Sequence, residues 1–170
     1  MKKLKPISYI IYSAMILAVI GIDQLTKMLA VKFLEPIETQ PIIKNVLHLT
    51  YAENKGAAFG ILADHRWVFM TVSTVAILLL LFALYSGFLG EGKLYASAVA
   101  LIVGGGIGNM IDRISLGYVV DFIDFRLIDF AIFNGADSAV CIGAGLLVLA
   151  VLVESFKEKS TKDKTDKKGN

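Results

Sequence analysis

WVFMTVSTVAILLLLFALYSGFLG, residues 67–90, runs for 24 positions without an Asp, Glu, Lys, Arg or His. A helix rises about 1.5 Å per residue, so about 20 mostly apolar residues cross the hydrocarbon of a bilayer. This run clears that length. Three more uncharged stretches accompany it: residues 7–22 (16), 94–111 (18) and 138–153 (16). The two shorter ones become full spans once polar residues are allowed at the interface, the first through 23–27 and the last back to Asn134. Only helices and closed barrels satisfy their backbone in lipid, and none of these runs alternates as a barrel strand does. The reading is an all-α membrane protein with four transmembrane helices, at about 7–30, 67–90, 94–112 and 134–155, forming one membrane-embedded domain over residues 1–156.

Composition agrees. Of 170 residues, 56% are apolar and 19% charged, against about 45–50% and about 25% in average chains. That balance excludes a disordered protein and disfavours a water-soluble one. The net charge is +2, but residues 157–170 alone carry +3, so the rest sums to −1. The basic character lies in a lysine-rich tail, which reads as a disordered, solvated topology anchor and not as a nucleic-acid-binding face. One cysteine, Cys141, cannot form an intrachain disulfide, and His48 and His65 make no metal cluster. No metal and no cofactor is implied, nor any obligate protein partner.

Lysine and arginine set the orientation. Lys2, Lys3, Lys5, Lys93 and the six tail lysines fall on one side of the predicted spans; Lys32, Lys44, Lys55, Arg66, Arg113 and Arg126 are spread thinly over the other. Both termini are therefore expected in the cytoplasm, with 31–66 and 112–135 facing outward. The basic start followed by an apolar run also fits a secretory signal peptide, but no convincing small-x-small cleavage site precedes a mature domain, so the first helix is expected to stay. Within 37–62, a β-like stretch at 46–51 is followed by the turn residues Asn54, Gly56 and Gly60, which predicts a small extracytoplasmic β-sheet or cradle.

Ionisable groups in or beside membrane spans cost at least about 2.5–3.5 kcal/mol and are functional candidates by default. Asp23 and Lys27 are i, i+4 on helix 1; a local ion pair and a supporting role in a site are both open. Helix 3 carries Ala96, Ala100, Gly104 and Gly108 every four residues, a small-residue stripe for close helix packing. Its Gly104, Gly105 and Gly106 lack the Lys-Ser/Thr of a phosphate loop, so packing is the better reading. The stripe ends in Asn109, Asp112 and Arg113. Asp121 then lies among Val119, Val120, Phe122 and Ile123, and Asn134 and Asp137 open helix 4, where Asn134 is a candidate cap. By this topology Asp23, Asp112, Asp121 and Asp137 all reach the same membrane face. Two carboxylates brought together cannot readily both ionise, which leaves one base and one acid, the logic of aspartic peptidases.

In these pieces the chain resembles the bacterial lipoprotein signal peptidase (signal peptidase II) family: DQLTK (23–27), NKGAAFG (54–60), GNMIDR (108–113), VVDF (119–122) and FNGADS (133–138), in the family's order. The resemblance implies four transmembrane helices with a small sheet and a short helix outside the membrane. It implies an intramembrane aspartic endopeptidase of the bacterial cytoplasmic membrane, working near the outer face. The substrate would be a diacylglyceryl-modified prolipoprotein, cut just before its lipidated lipobox cysteine and held partly by membrane lipid. Asp121 and Asp137 would be the catalytic pair, with Asp23, Lys27, Asn54, Gly56, Asn109, Asp112, Arg113 and Asn134 positioning the substrate or the pair. Asp112, beside Arg113, is expected to be held ionised in a structural pair, whereas Asp121 among Val and Phe suits a raised pKa.

Other chemistries fit less well. No Gly-x-Ser-x-Gly turn accompanies either histidine, no serine stands out beside Lys27 or Lys55, and there is no His-Glu-x-x-His and no Gly-x-Gly-Asp. A proton-coupled transporter would distribute acids along a pathway, yet the cytoplasmic half of every predicted span is nearly uncharged. A non-catalytic scaffold accounts for the glycine stripe but leaves the five motifs unexplained.

Overall fold

The computed structural model describes residues 5–56, 66–87 and 92–166. The chain forms α1 (Pro6–Phe33), β1 (Thr39–Ile43), β2 (Leu47–Asn54), α2 (Arg66–Tyr85), α3 (Lys93–Ser115), β3 (Val119–Asp124), a 3₁₀ turn (Arg126–Ile128) and α4 (Gly135–Asp166). It is a mostly helical membrane protein with one small antiparallel sheet, ordered β1-β2-β3. Among the described residues, three helices are long and apolar enough to cross a bilayer: α1, α3, and α4 over Gly135–Phe156. The corresponding part of α2, Met70–Tyr85, is shorter. Where a helix was expected over 67–90, α2 ends at Tyr85, and residues 88–91 lie outside the described part, as do Gly60 and the rest of 57–65.

α3 is the hub. Its residues Ala96, Val99, Ala100 and Val103 form a core with Tyr12 and Ile16 of α1 and Leu84 of α2. Outward, α1 shows Leu17 and Ile22, α2 shows Leu79 and Phe82, and α4 shows Val148 and Leu152, all well exposed. Such surfaces would associate in water; against acyl chains they need no partner.

Consecutive residues on a helix point about 100° apart, and Gly104, Gly105 and Gly106 use this to admit three neighbours. A Cβ on Gly104 would stand 2.8 Å from the Val19 Cβ of α1. On Gly105 it would run into the Ala136 carbonyl oxygen of α4, and on Gly106 it would be 3.2 Å from Ile77 of α2. One helical turn beyond Gly104, a Cβ on Gly108 would sit 2.5 Å from the Asp23 carboxylate. The small-residue stripe is a packing surface, as its spacing predicts.

β1 and β2 pair with Thr39 opposite Thr50 and Pro41 opposite His48. β2 and β3 pair with Leu49 opposite Ile123 and Ala52 opposite Asp121, with an irregularity between Leu49 and Ala52. Three steps on β2 there match two on β3, which is a bulge; it re-aims the side chains beyond it. Phe133 returns to β3, its N–H donating to the Ile123 carbonyl (3.1 Å) and its carbonyl accepting from the Ile123 N–H (2.8 Å). α4 therefore starts beside the strand that holds Asp121.

α4 runs past the apolar stretch to Asp166, into the lysine-rich segment; residues 167–170 lie outside the described part. A helix already nucleated in a span extends at little cost through Lys and Glu, which are good helix formers.

Two glycine substitutions should move stability in opposite directions. Gly105→Ala forces a methyl group onto the backbone of α4 and is expected to cost about 1–3 kcal/mol. At Gly135 a Cβ would meet nothing nearer than 3.7 Å, so Gly135→Ala should gain about 0.4–1 kcal/mol by restricting the unfolded chain. Thermal unfolding of both variants in detergent measures the contrast.

Candidate active site

α1 contributes Asp23 and Lys27 from one face of its final turns. The Lys27 ammonium pairs with Asp23 at 2.9 Å and with Asp112 of α3 at 3.0 Å, and all three are almost fully buried. The third contact of Lys27 is the Asn109 side-chain carbonyl, at 2.8 Å. Asp23 also reaches α4, its Oδ1 accepting the Ala136 N–H at 2.9 Å. Asp23 is thus both in a local ion pair with Lys27 and part of the polar cluster.

Asn134 begins α4 as a capping box. Its Oδ1 accepts the Asp137 N–H (2.9 Å), and Asp137 Oδ2 accepts the Asn134 N–H (3.3 Å), so each satisfies one otherwise orphaned helix donor. The Asn134 amide nitrogen is then turned away from the helix. It donates to Asp121 Oδ1 at 2.6 Å and reaches Asn109 Oδ1 at 3.1 Å. Because Asn109 Oδ1 already serves Lys27 and Asn134, its nitrogen must face the other way, and it donates to Asp137 Oδ1 at 2.7 Å. Asp121 and Asp137, from β3 and α4, are joined in one network through two asparagine amides.

Asp121 is held from its other side by Asn54, whose nitrogen donates to Oδ2 at 2.9 Å. Gly56 fixes that amide by donating its N–H to Asn54 Oδ1 (3.1 Å). The β2 bulge sets this geometry, since Asn54 lies two residues beyond the Ala52 that faces Asp121. Burial raises the Asp121 carboxyl to about 6, helped by the Asp137 charge; the Asn54 and Asn134 hydrogen bonds and the Lys27 charge oppose it. Such a carboxyl can exchange a proton near neutral pH.

Asp112 corrects one expectation. Its ion-pair partner is Lys27 rather than the adjacent Arg113. The guanidinium of half-buried Arg113 donates to the Asn109 backbone carbonyl at 3.5 Å and makes no ion pair among the described residues. Helical neighbours point apart, so adjacency in sequence did not make a pair. The other contacts of Asp112 are also away from Arg113: Oδ2 accepts the Val120 N–H (3.1 Å) and Oδ1 accepts the Gln24 amide (2.9 Å). Sequence reading did not single out Gln24 or the Val120 N–H. Gln24 was visible only as one position in DQLTK, and its three acceptors lie on two helices.

These elements define a membrane protein with a carboxylate pair, buried Asp121 and half-buried Asp137, gathered at one end of its helices. Comparison with known proteins adds the lineage. The model of the Signal peptidase (SPase) II family matches residues 15–153. The lipoprotein signal peptidase of Caldanaerobacter subterraneus is 48% identical over 76% of this chain and 87% of its own length. That of Brevibacillus brevis is 45% identical over 83% and 94%, and that of Clostridioides difficile 43% over 88% and 99%. A bacterial membrane enzyme solved by the in meso method at 2.3 Å superimposes with a TM-score of 0.77 at 31% identity, covering 91% of this chain and 94% of that one. The chain belongs to the signal peptidase II family, and is a protease.

The Asn54 contact gives a direct check. Removing a donor to the carboxylate favours its protonated form, so Asn54→Ala should move the Asp121 titration upward from about 6. Carbon-13 NMR of labelled aspartate in micelles reads it; an unmoved or lowered value would contradict the assigned contact.

Proposed function

We propose that this protein removes the signal peptide from diacylglyceryl-modified prolipoproteins, cutting before the lipidated cysteine, with Asp121 and Asp137 as the catalytic pair. The observation that carries this reading is the joining of these two carboxylates, from separate elements, through Asn134 and Asn109. The ionised member takes a proton from water as the oxygen attacks the scissile carbonyl. The protonated member donates to the carbonyl oxygen and, as the intermediate collapses, a proton leaves with the amine. The pair titrates as a unit, so the apparent pKa values belong to both. Asn54, Gly56, Asn109, Arg113 and Asn134 position the pair or the peptide, and Asp23, Lys27 and Asp112 support them. The two acyl chains remain in lipid, worth about 0.8 kcal/mol per buried CH₂, and hold the cysteine at a fixed depth beside the dyad.

The same reading gives the chain four spans, with both termini cytoplasmic and the site near the outer face of the bacterial cytoplasmic membrane. α1 and α3 both bring their C-terminal ends to the polar cluster. α2, between them, has to carry the chain back across, and residues 67–90 are uncharged throughout. The lysine distribution sets the direction.

Purified protein in detergent should cut a diacylglyceryl-modified lipobox peptide and leave the unlipidated peptide intact. Asp121→Asn and Asp137→Asn should each lower kcat at least about a thousandfold. Full activity in either variant would remove that residue from the mechanism.

A further inference from the structure

Gln24 sits half-buried on α1 between two buried acids, and no role in proteolysis has yet been given to it. Its amide nitrogen donates to Asp112 Oδ1 at 2.9 Å, to the Gly108 carbonyl at 3.2 Å and, more weakly, to Asp23 Oδ2 at 3.3 Å. Asp112 in turn accepts the N–H of Val120, the residue before Asp121, at 3.1 Å. This path runs from α1 through α3 to the strand that carries the dyad member, without touching the dyad. We propose that Gln24 is a positioning residue for proteolysis: an uncharged donor that holds Asp112 so that Asp112 can hold the β3 backbone at Asp121. The inference rests on the role given to Asp121 above.

Charge explains why an amide suits this place. Asp23 and Asp112 share the single cation Lys27. The dyad facing them is Asp121 with Asp137, and the remaining nearby cation is Arg113 of α3. From the sheet, Glu53 turns to Lys55 at 3.2 Å, and Asp124 pairs with Arg126 at 2.8 Å. A third acid, at position 24, would add negative charge beside Asp23 and Asp112, whose only direct ion-pair partner among the described residues is Lys27. A donor without charge satisfies Asp112 and leaves the dyad's ionisation undisturbed.

Two variants test this in full-length enzyme with the lipidated peptide. Gln24→Met keeps the length and removes the donor; kcat should fall about 10- to 100-fold with KM unchanged, because a strand is misplaced and no substrate contact is lost. Gln24→Glu keeps the shape and adds charge. The acid limb of its kcat/KM profile reports ionisation of the dyad, and a nearby negative charge raises that pKa, so the limb should move to higher pH by about one unit. A purely structural role would reduce the yield of folded enzyme and leave the limb where it is. An unmoved limb in Gln24→Glu overturns the inference, as does a wild-type kcat in Gln24→Met. If Gln24→Met does not fold, the Gln24→Glu profile decides alone. Asp121→Asn, run in parallel, separates the two levels: activity retained there defeats the dyad itself, whereas activity lost there with ordinary Gln24 variants defeats only the role of Gln24.

Discussion

Asn134 lies where α4 begins, with no exposed surface, and its side chain bonds to α4, β3 and α3 at once. An asparagine amide offers two N–H donors and one carbonyl acceptor, and a group buried this deeply has to use them. The carbonyl caps the helix through the Asp137 N–H. The nitrogen is then left to Asp121 and Asn109. Helix capping, a local requirement of any helix N-terminus, thereby fixes the side chain that links the two acids. The same residues that start the helix build the site.

This arrangement needs the three helices unusually close. A lysine reaching two carboxylates and an amide, all within 3.0 Å, leaves no room for ordinary side chains between α1 and α3. Gly108 supplies that room beneath Asp23, and Gly105 does so beneath Ala136. Burying an ion pair is expensive, and removing one partner from such a pair costs about 3–5 kcal/mol. The Asp23–Lys27–Asp112 group is therefore better understood as a device for fixing positions than as a source of stability. Its attachments to Ala136 and Val120 place the starts of α4 and β3 relative to α1.

Much of this could be read from the chain, for identifiable reasons. Uncharged runs mark helices because lipid punishes charge, and among the described residues three of the four expected helices meet the length and hydropathy of a span. Asp23 with Lys27, and Asn134 with Asp137, were legible because their partners lie within one helical turn. β2 was anticipated at 46–51 and spans Leu47–Asn54. β3 was not anticipated as a strand. VVDFID is buried on both faces over much of its length and lacks clean alternation, so only its pairing with β2 reveals it. The partners of Asp112, and the whole part played by Gln24, depend on contacts between α1, α3 and β3 that no local pattern encodes.

The central claim is that Asn109 and Asn134 act on the dyad as one unit. A double-mutant cycle on kcat/KM for the lipidated peptide, using Asn109→Ala, Asn134→Ala and the pair together, tests it most directly. Groups that function as a unit are strongly non-additive, so the double variant should be scarcely slower than the worse single one. Losses that simply multiply would mean that the two amides act independently, and would contradict the account.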